Sequence, residues 1–201
     1  MLVAEDLALL AIGLNGEPVR AGTILPAVSL GIAGALIHQL EQEGHVTLDD
    51  DFRIRTTGSQ PRHDLLVAEL DVLRRHDRQR LGGCLSGVRH VGWNEVVDHL
   101  AATGVLTREK RFLRRARYWM TDPRAHADLI GQTRHAALRG EPHDEHTVAL
   151  LALALPSQLS EVLGGRNGLT RPASQIPLVS LLDIAVAANR RPLWRVVGEE
   201  F

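Results

Sequence analysis

Leu100-Ala101-Ala102-Thr103-Gly104-Val105-Leu106 ends an apolar-periodic helix on a glycine and passes at once into an extended segment. Leu40-Glu41-Gln42-Glu43-Gly44-His45-Val46 does the same about 60 residues earlier. Glycine enters the left-handed conformation of a helix stop without a Cβ penalty. Each stop is followed by a hairpin pattern, so the shared plan is helix, glycine, hairpin. Two copies are too few for a solenoid, and the plan is also that of a winged helix.

Around these stops the chain reads as mostly helical. Val3–Leu14 carries apolar Val3, Leu7, Leu10 and Leu14 at helical spacing, with Glu5 and Asp6 in an acidic first turn. Ala27–Glu43 has two apolar stripes, which implies burial over a wide face. Val46–Leu48 and Phe52–Arg55 form a hairpin across Asp49-Asp50-Asp51. Asp64–His76 is an amphipathic helix; Gly82, Gly83 and Gly87 then loosen the middle. Trp93–Thr103 puts Trp93, Val96, Val97 and Leu100 on one face, and Arg111–Met120 is a second, irregular hairpin. Helices are expected over Arg124–Arg139, over Glu145–Leu155 behind an Asp144 N-cap, and over Ser174–Ala188, with a short ending at Leu193–Val197. Val148–Leu155 is apolar all round and reads as the central helix. The expected fold class is mostly α: a single globular domain over residues 1–201, with a central buried helix and short β-hairpins.

Composition limits the function classes. Of 201 residues, 44% are apolar and 23% charged, an ordinary globular balance. One cysteine, Cys84, excludes an internal disulfide framework, and its apolar neighbours make it a buried structural thiol. Twenty-three basic and 24 acidic residues leave a formal charge of −1, so no global field draws the chain to nucleic acid or membrane. The opening Met1-Leu2-Val3-Ala4-Glu5-Asp6 lacks the basic lead of a secretory signal, and Ala21–Ile37 is too interrupted to span a bilayer.

Catalytic signatures are missing: there is no phosphate loop, no dinucleotide fingerprint and no nucleophile elbow. His143 and His146, with His135 in reach, form a weak metal candidate, because no third ligand is anchored and Asp144 is better used as a cap. The strongest anomaly is basic. Arg108, Lys110, Arg111, Arg114, Arg115 and Arg117 stand against Glu109 alone, followed by Tyr118 and Trp119. That density suits reversible docking on an anionic surface, or a solvated wing tip balanced by carboxylates. The aromatic pair suits an interfacial anchor or a core plug. Arg74, Arg75, Arg78 and Arg80, interleaved with Asp71 and Asp77, read as a solvated helix end.

Several segments, in order, resemble the Golgi phosphoprotein 3 family in its compact bacterial form. Leu2–Leu10 is similar to that family's first helix, and Gly34–Leu48 to its G-x-x-L-x-E-L-x-x-x-G-x-[IL]-x-L segment. Leu100–Lys110 matches its L-x-x-x-G-V-L-T-x-E-K, ahead of a hairpin and Thr121-Asp122-Pro123. Leu150–Leu153 resembles the L-L-A-L of its central helix, and Leu193–Val197 its final L-W-x-V-V. The resemblance implies a non-enzymatic, cytoplasmic, reversibly membrane-associated protein that recognises phosphatidylinositol 4-phosphate. It also implies self-association through the hairpin, here 111–120. The family's headgroup pocket uses one tryptophan and three arginines; the positions aligned with them are Ile24, Ala33, His90 and Trp93, and none keeps its family residue. A phosphomonoester calls for guanidinium donors. The expected contacts with an anionic phospholipid or phosphoinositide headgroup are therefore Arg111, Arg114, Arg115 and Arg117, with Arg89, His90 and Trp93 rebuilding part of a site. No cofactor, catalytic residue or metal ligand is assigned. The alternatives are a winged-helix DNA binder reading with Trp93–Thr103, against which Glu95 and Asp98 repel phosphates, and a metal-dependent enzyme around His135, His143 and His146.

Overall fold

The computed structural model describes residues 1–13, 16–17, 25–87, 90–109, 116–139, 144–154, 156–157, 159 and 162–163. In chain order these form α1 (Val3–Leu10), α2 (Leu25–Gln42), β1 (Val46–Leu48), β2 (Ile54–Thr56), α3 (Asp64–Arg75) and α4 (Leu81–Gly87). They continue as α5 (Trp93–Ala102), β3 (Leu106–Glu109), β4 (Arg117–Met120), α6 (Pro123–Arg139) and α7 (Glu145–Ala154). The fold is mostly α, with two small antiparallel hairpins. The readings at Ser174–Ala188 and Leu193–Val197 lie outside the described residues.

The double apolar stripe of α2 makes it the central helix. Val28, Ile32, Ala33, Leu36, Ile37 and Leu40 are fully buried, and α2 packs on α1, α3, α4, α5, α7 and β1. The sequence reading gave that place to 148–155. In the structure α7 is buried from Ala149 to Ala154 and packs on α1, α2 and α6. Every residue of α1 is buried, its acidic pair included. Asp144 caps α7 as expected: its Oδ1 accepts the Thr147 N–H at 2.7 Å and its Oδ2 the Thr147 hydroxyl at 2.9 Å. The Thr147 backbone and side-chain bonds hold the Asp144 carboxyl below its ordinary range.

Both glycine stops are built alike. Gly44 (φ 72°) and Gly104 (φ 78°) are left-handed. The His45 N–H reaches Leu40 O at 2.8 Å, and the Val105 N–H reaches Leu100 O at 2.9 Å. The Gly44 N–H goes to Glu41 O and the Gly104 N–H to Ala101 O. This is the paired bonding of a Schellman stop. A threonine locks each hairpin onto its stop: Thr57 Oγ1 donates to Gly44 O at 3.1 Å, and Thr121 Oγ1 to Gly104 O at 2.6 Å.

Local boundaries differ for physical reasons. α1 ends at Leu10 rather than Leu14, with Ala11 as its C-cap. Phe52 is not in a strand: Asp49 Oδ1 accepts the Asp51 and Arg53 N–H groups, the turn drives Phe52 to φ 55°, and β2 starts at Ile54. The glycines at 82, 83 and 87 do not break the chain; they lie in α4, whose Leu81, Cys84 and Leu85 are buried. The second hairpin pairs Leu106–Glu109 with Arg117–Met120, so its first strand precedes residue 111. Leu106 faces the core and fixes that register.

Candidate functional site

The basic segment sits on the β3–β4 hairpin, which leads out of α5. Lys110, Arg111, Arg114 and Arg115 lie outside the described residues. The two arginines that flank them are paired within the chain. Arg108 Nη1 donates to Asp98 Oδ1 at 2.8 Å, and its guanidinium lies 5.9 Å from the Tyr118 ring centroid. Arg117 Nε donates to Glu17 Oε1 at 3.0 Å, and its Nη2 is 2.9 Å from the same oxygen. The first pair is exposed and the second part-buried, and each is worth about 1 kcal/mol or less.

Strand alternation divides the aromatic pair. Tyr118 is buried and meets Trp93 edge-on, with centroids 6.4 Å apart and planes at 84°. Trp119 points the other way, is 39% exposed, and donates Nε1–H to Glu109 Oε2 at 3.2 Å. One aromatic is therefore a core plug and the other stands on the surface of the wing. The outer edge of β4 is closed by Gly16, whose carbonyl accepts the Tyr118 N–H at 2.8 Å.

The segment 90–93 enters α5 behind the wing. Trp93 is 5% exposed, and its N–H donates to Ser29 Oγ at 3.2 Å. The Gly92 N–H is taken by Glu95 Oε2 at 3.2 Å, one half of a capping box, since glycine has no side chain to return the bond. The His90 side chain is 5% exposed, with Nδ1 2.5 Å from Glu69 Oε1 and Nε2 3.1 Å from Cys84 O. Burial pulls the His90 imidazole down. The Cys84 side chain, the Glu69 hydrogen bond and charge, and the Cys84 carbonyl outweigh it and raise the group to about 10. His90 is thus an imidazolium locked to a carboxylate, and Trp93 packs in the core. Neither presents its side chain to solvent. Of the aligned pocket positions, Ala33 is fully buried in α2 and Ile24 lies outside the described residues, as does Arg89.

Glu69 was missed by the sequence reading. It sits among Leu65, Leu66, Leu70 and Leu73 on the apolar face of α3 and is fully buried. Its Oε2 accepts the Val91 N–H at 2.9 Å. A carboxylate inside an apolar stripe was the available signal, because such a group must find donors. Of the histidines taken together for a metal, His146 binds Asp6 Oδ2 at 2.6 Å, His135 is exposed, and His143 lies outside the described residues. Among the described residues, no helix is long and apolar enough to cross a membrane.

No curated protein matches the chain. The family model described as Golgi phosphoprotein 3 (GPP34) matches residues 3–189, from the first residue of α1 to well beyond α7. The match covers both glycine stops, the basic hairpin and the buried α1–α2–α7 packing in their order along the sequence, and the chain belongs to the Golgi phosphoprotein 3 (GPP34) family.

Proposed function

We propose that residues 1–201 act as one Golgi phosphoprotein 3-like domain: a non-enzymatic, cytoplasmic adaptor that docks reversibly on anionic lipid headgroups, phosphoinositides among them. The observation that carries the reading is the family match over residues 3–189, joined to a basic hairpin. Arg111, Arg114 and Arg115 are the proposed headgroup contacts, together with Arg89. Arg117 holds the hairpin base through Glu17. His90 and Trp93 hold the α5 entry in place rather than touch lipid. At about 1 kcal/mol per basic residue near an anionic surface, such a cluster supplies a few kcal/mol, which suits reversible docking. The exposed Trp119 ring on β4 is a proposed interfacial contact. The same hairpin, 111–120, is the proposed surface for self-association.

Vesicle co-sedimentation tests the reading. Phosphatidylcholine vesicles are compared with vesicles that also carry phosphatidylserine or phosphatidylinositol 4-phosphate, at low and at physiological salt. Protein pelleting with the anionic vesicles, and release by Arg111→Ala, Arg114→Ala and Arg115→Ala together, is expected. No pelleting with either anionic lipid at low salt ends the reading. Tighter binding to duplex DNA, with a steep salt dependence, replaces it with the winged-helix alternative. The Asp98 carboxylate beside Arg108 on the outer face of α5 argues against that outcome.

A further inference from the structure

Glu5, in the first turn of α1, is 5% exposed yet carries a carboxylate. Its Oε2 accepts the Leu2 N–H at 2.7 Å. Its Oε1 faces two imidazoles brought in by other helices. His63 Nε2, from the N-cap of α3, is 3.6 Å away, and His99 Nε2, from the last turn of α5, is 3.4 Å away. The three ligand atoms lie within 4.8 Å of one another, and the two rings stand 5.0 Å apart.

Those two separations are long for charge-assisted hydrogen bonds, which close to about 2.7–2.9 Å. They match another geometry. Nitrogen and oxygen ligands about 2.0–2.1 Å from a tetrahedral zinc ion lie about 3.3 Å apart along the edges of the tetrahedron. We propose that Glu5, His63 and His99 form a divalent metal site of the zinc class, which clamps the start of α1 to α3 and α5. Two imidazoles and one carboxylate suit zinc and its later first-row neighbours, and not calcium or magnesium. The His63 side chain is 31% exposed, so the cluster is reached by solvent from that side. His63 Nδ1 accepts the Leu65 N–H at 3.3 Å, so ligation through Nε2, which puts the ring proton on Nδ1, gives up that bond. The Leu65 amide is therefore a local reporter. The assignment uses no residue of the basic hairpin and stands or falls apart from lipid docking.

The untagged full chain, stripped with a chelator, is titrated with Zn2+ by calorimetry and with Co2+ by visible absorption. One equivalent, tetrahedral Co2+ bands without a thiolate charge-transfer band, and a thermal midpoint raised by roughly 5 °C are the expected results. The Leu65 amide resonance shifts in step with loading. Glu5→Gln weakens binding by about tenfold or more, and paired His63→Asn and His99→Asn abolish it, while His135→Asn leaves it unchanged. Circular dichroism checks that the variants fold; if one does not, the wild-type titration and the Leu65 shift decide. No stoichiometric binding to the wild type, or undiminished binding to a folded His63→Asn/His99→Asn protein, overturns the site.

Discussion

Replacing Glu69 by Gln tests the buried pair that holds the α5 entry. Glu69 is fully buried and uses both oxygens, one toward His90 Nδ1 and one for the Val91 N–H. The His90 imidazole rises from 6.5 to about 10 in the folded chain. Each unit corresponds to about 1.4 kcal/mol between protonation states, so the Cys84 side chain, Glu69 and the Cys84 carbonyl together contribute on the order of 3–5 kcal/mol at neutral pH, of which Glu69 supplies a part. The folded value lies above the unfolded one, which sets the sign. Below about 6.5 the imidazole is charged in both states and the contribution is complete. Above that the unfolded chain loses its proton first, and the contribution falls away until about 10.

Glutamine keeps the shape of glutamate and suits a neutral imidazole, because its carbonyl accepts the Val91 N–H and its amide donates to Nδ1. The Glu69→Gln protein is therefore expected to be about 2–3 kcal/mol less stable than the parent near pH 6, with the gap closing toward pH 10, because the Cys84 contacts to His90 remain. Urea unfolding of both proteins at about pH 6, 8 and 10 measures it, and the difference between them cancels every other group that titrates in that range. A gap that stays constant across the series refutes the reasoning: the carboxylate would then act by packing alone and His90 would not be charged.

Gly31→Ala places a Cβ against Ser157 Oγ and 2.9 Å from Leu7 Cδ2, where α2 crosses α1, and is expected to lower stability by about 2–3 kcal/mol in a thermal melt. Gly16→Ala meets two obstacles, a left-handed φ of 73° and the Tyr118 carbonyl 2.9 Å from the new Cβ; protease nicking near β4 should rise in that variant. At Gly44 and Gly104 a Cβ meets nothing within 4 Å, so alanine there carries only the left-handed strain, roughly 1 kcal/mol at each, and asparagine less. His146→Ala removes the partner of the buried Asp6 carboxylate, whose group burial already pushes upward; about 1–3 kcal/mol is expected by chemical denaturation, because the His146 side chain is 40% exposed.

The features legible in the sequence were those set by neighbours in the chain. Gly44 and Gly104 announced helix stops, Asp144 announced a cap, and Trp93, Val96, Val97 and Leu100 announced one buried face; the structure holds all of these. The placement of α4 was not legible, because glycines at 82 and 83 lower helix propensity while the burial of Leu81, Cys84 and Leu85 overrides it. Long-range pairings were not legible at all. Glu69 with His90, Glu5 with His63 and His99, and Asp6 with His146 join residues 21 to 140 positions apart, and nothing local records them. The basic hairpin is an intermediate case. Its charge is plain in the sequence, yet the pairing of Arg117 with Glu17, 100 positions away, needed the fold.

The two copies of the helix–glycine–hairpin plan now differ in a way that bears on function. The first hairpin is sewn to the body: the Ile54 N–H donates to Gln79 O, the Arg78 N–H to Ile54 O and the Leu81 N–H to Phe52 O, and Arg53 bridges Arg80. Its carboxylates Asp49 and Asp51 are spent on its own turn. The second is secured at its base, by Thr121 on Gly104, Tyr118 on Gly16 and Arg117 on Glu17. The cations between residues 109 and 116 carry no compensating carboxylate in their own stretch of sequence. The first hairpin is thus tied to the body along its strand and turn, and the second at its base, with six residues between Glu109 and Ala116 that hold four cations and no carboxylate. Moving the arginines of 111–115 into the first turn, at 49–51, should therefore not transfer anionic-lipid binding, because that turn depends on its Asp49 bonds to the Asp51 and Arg53 N–H groups. Vesicle binding by such a transplant, equal to that of the parent, would show that net charge alone and not the wing's mounting governs docking.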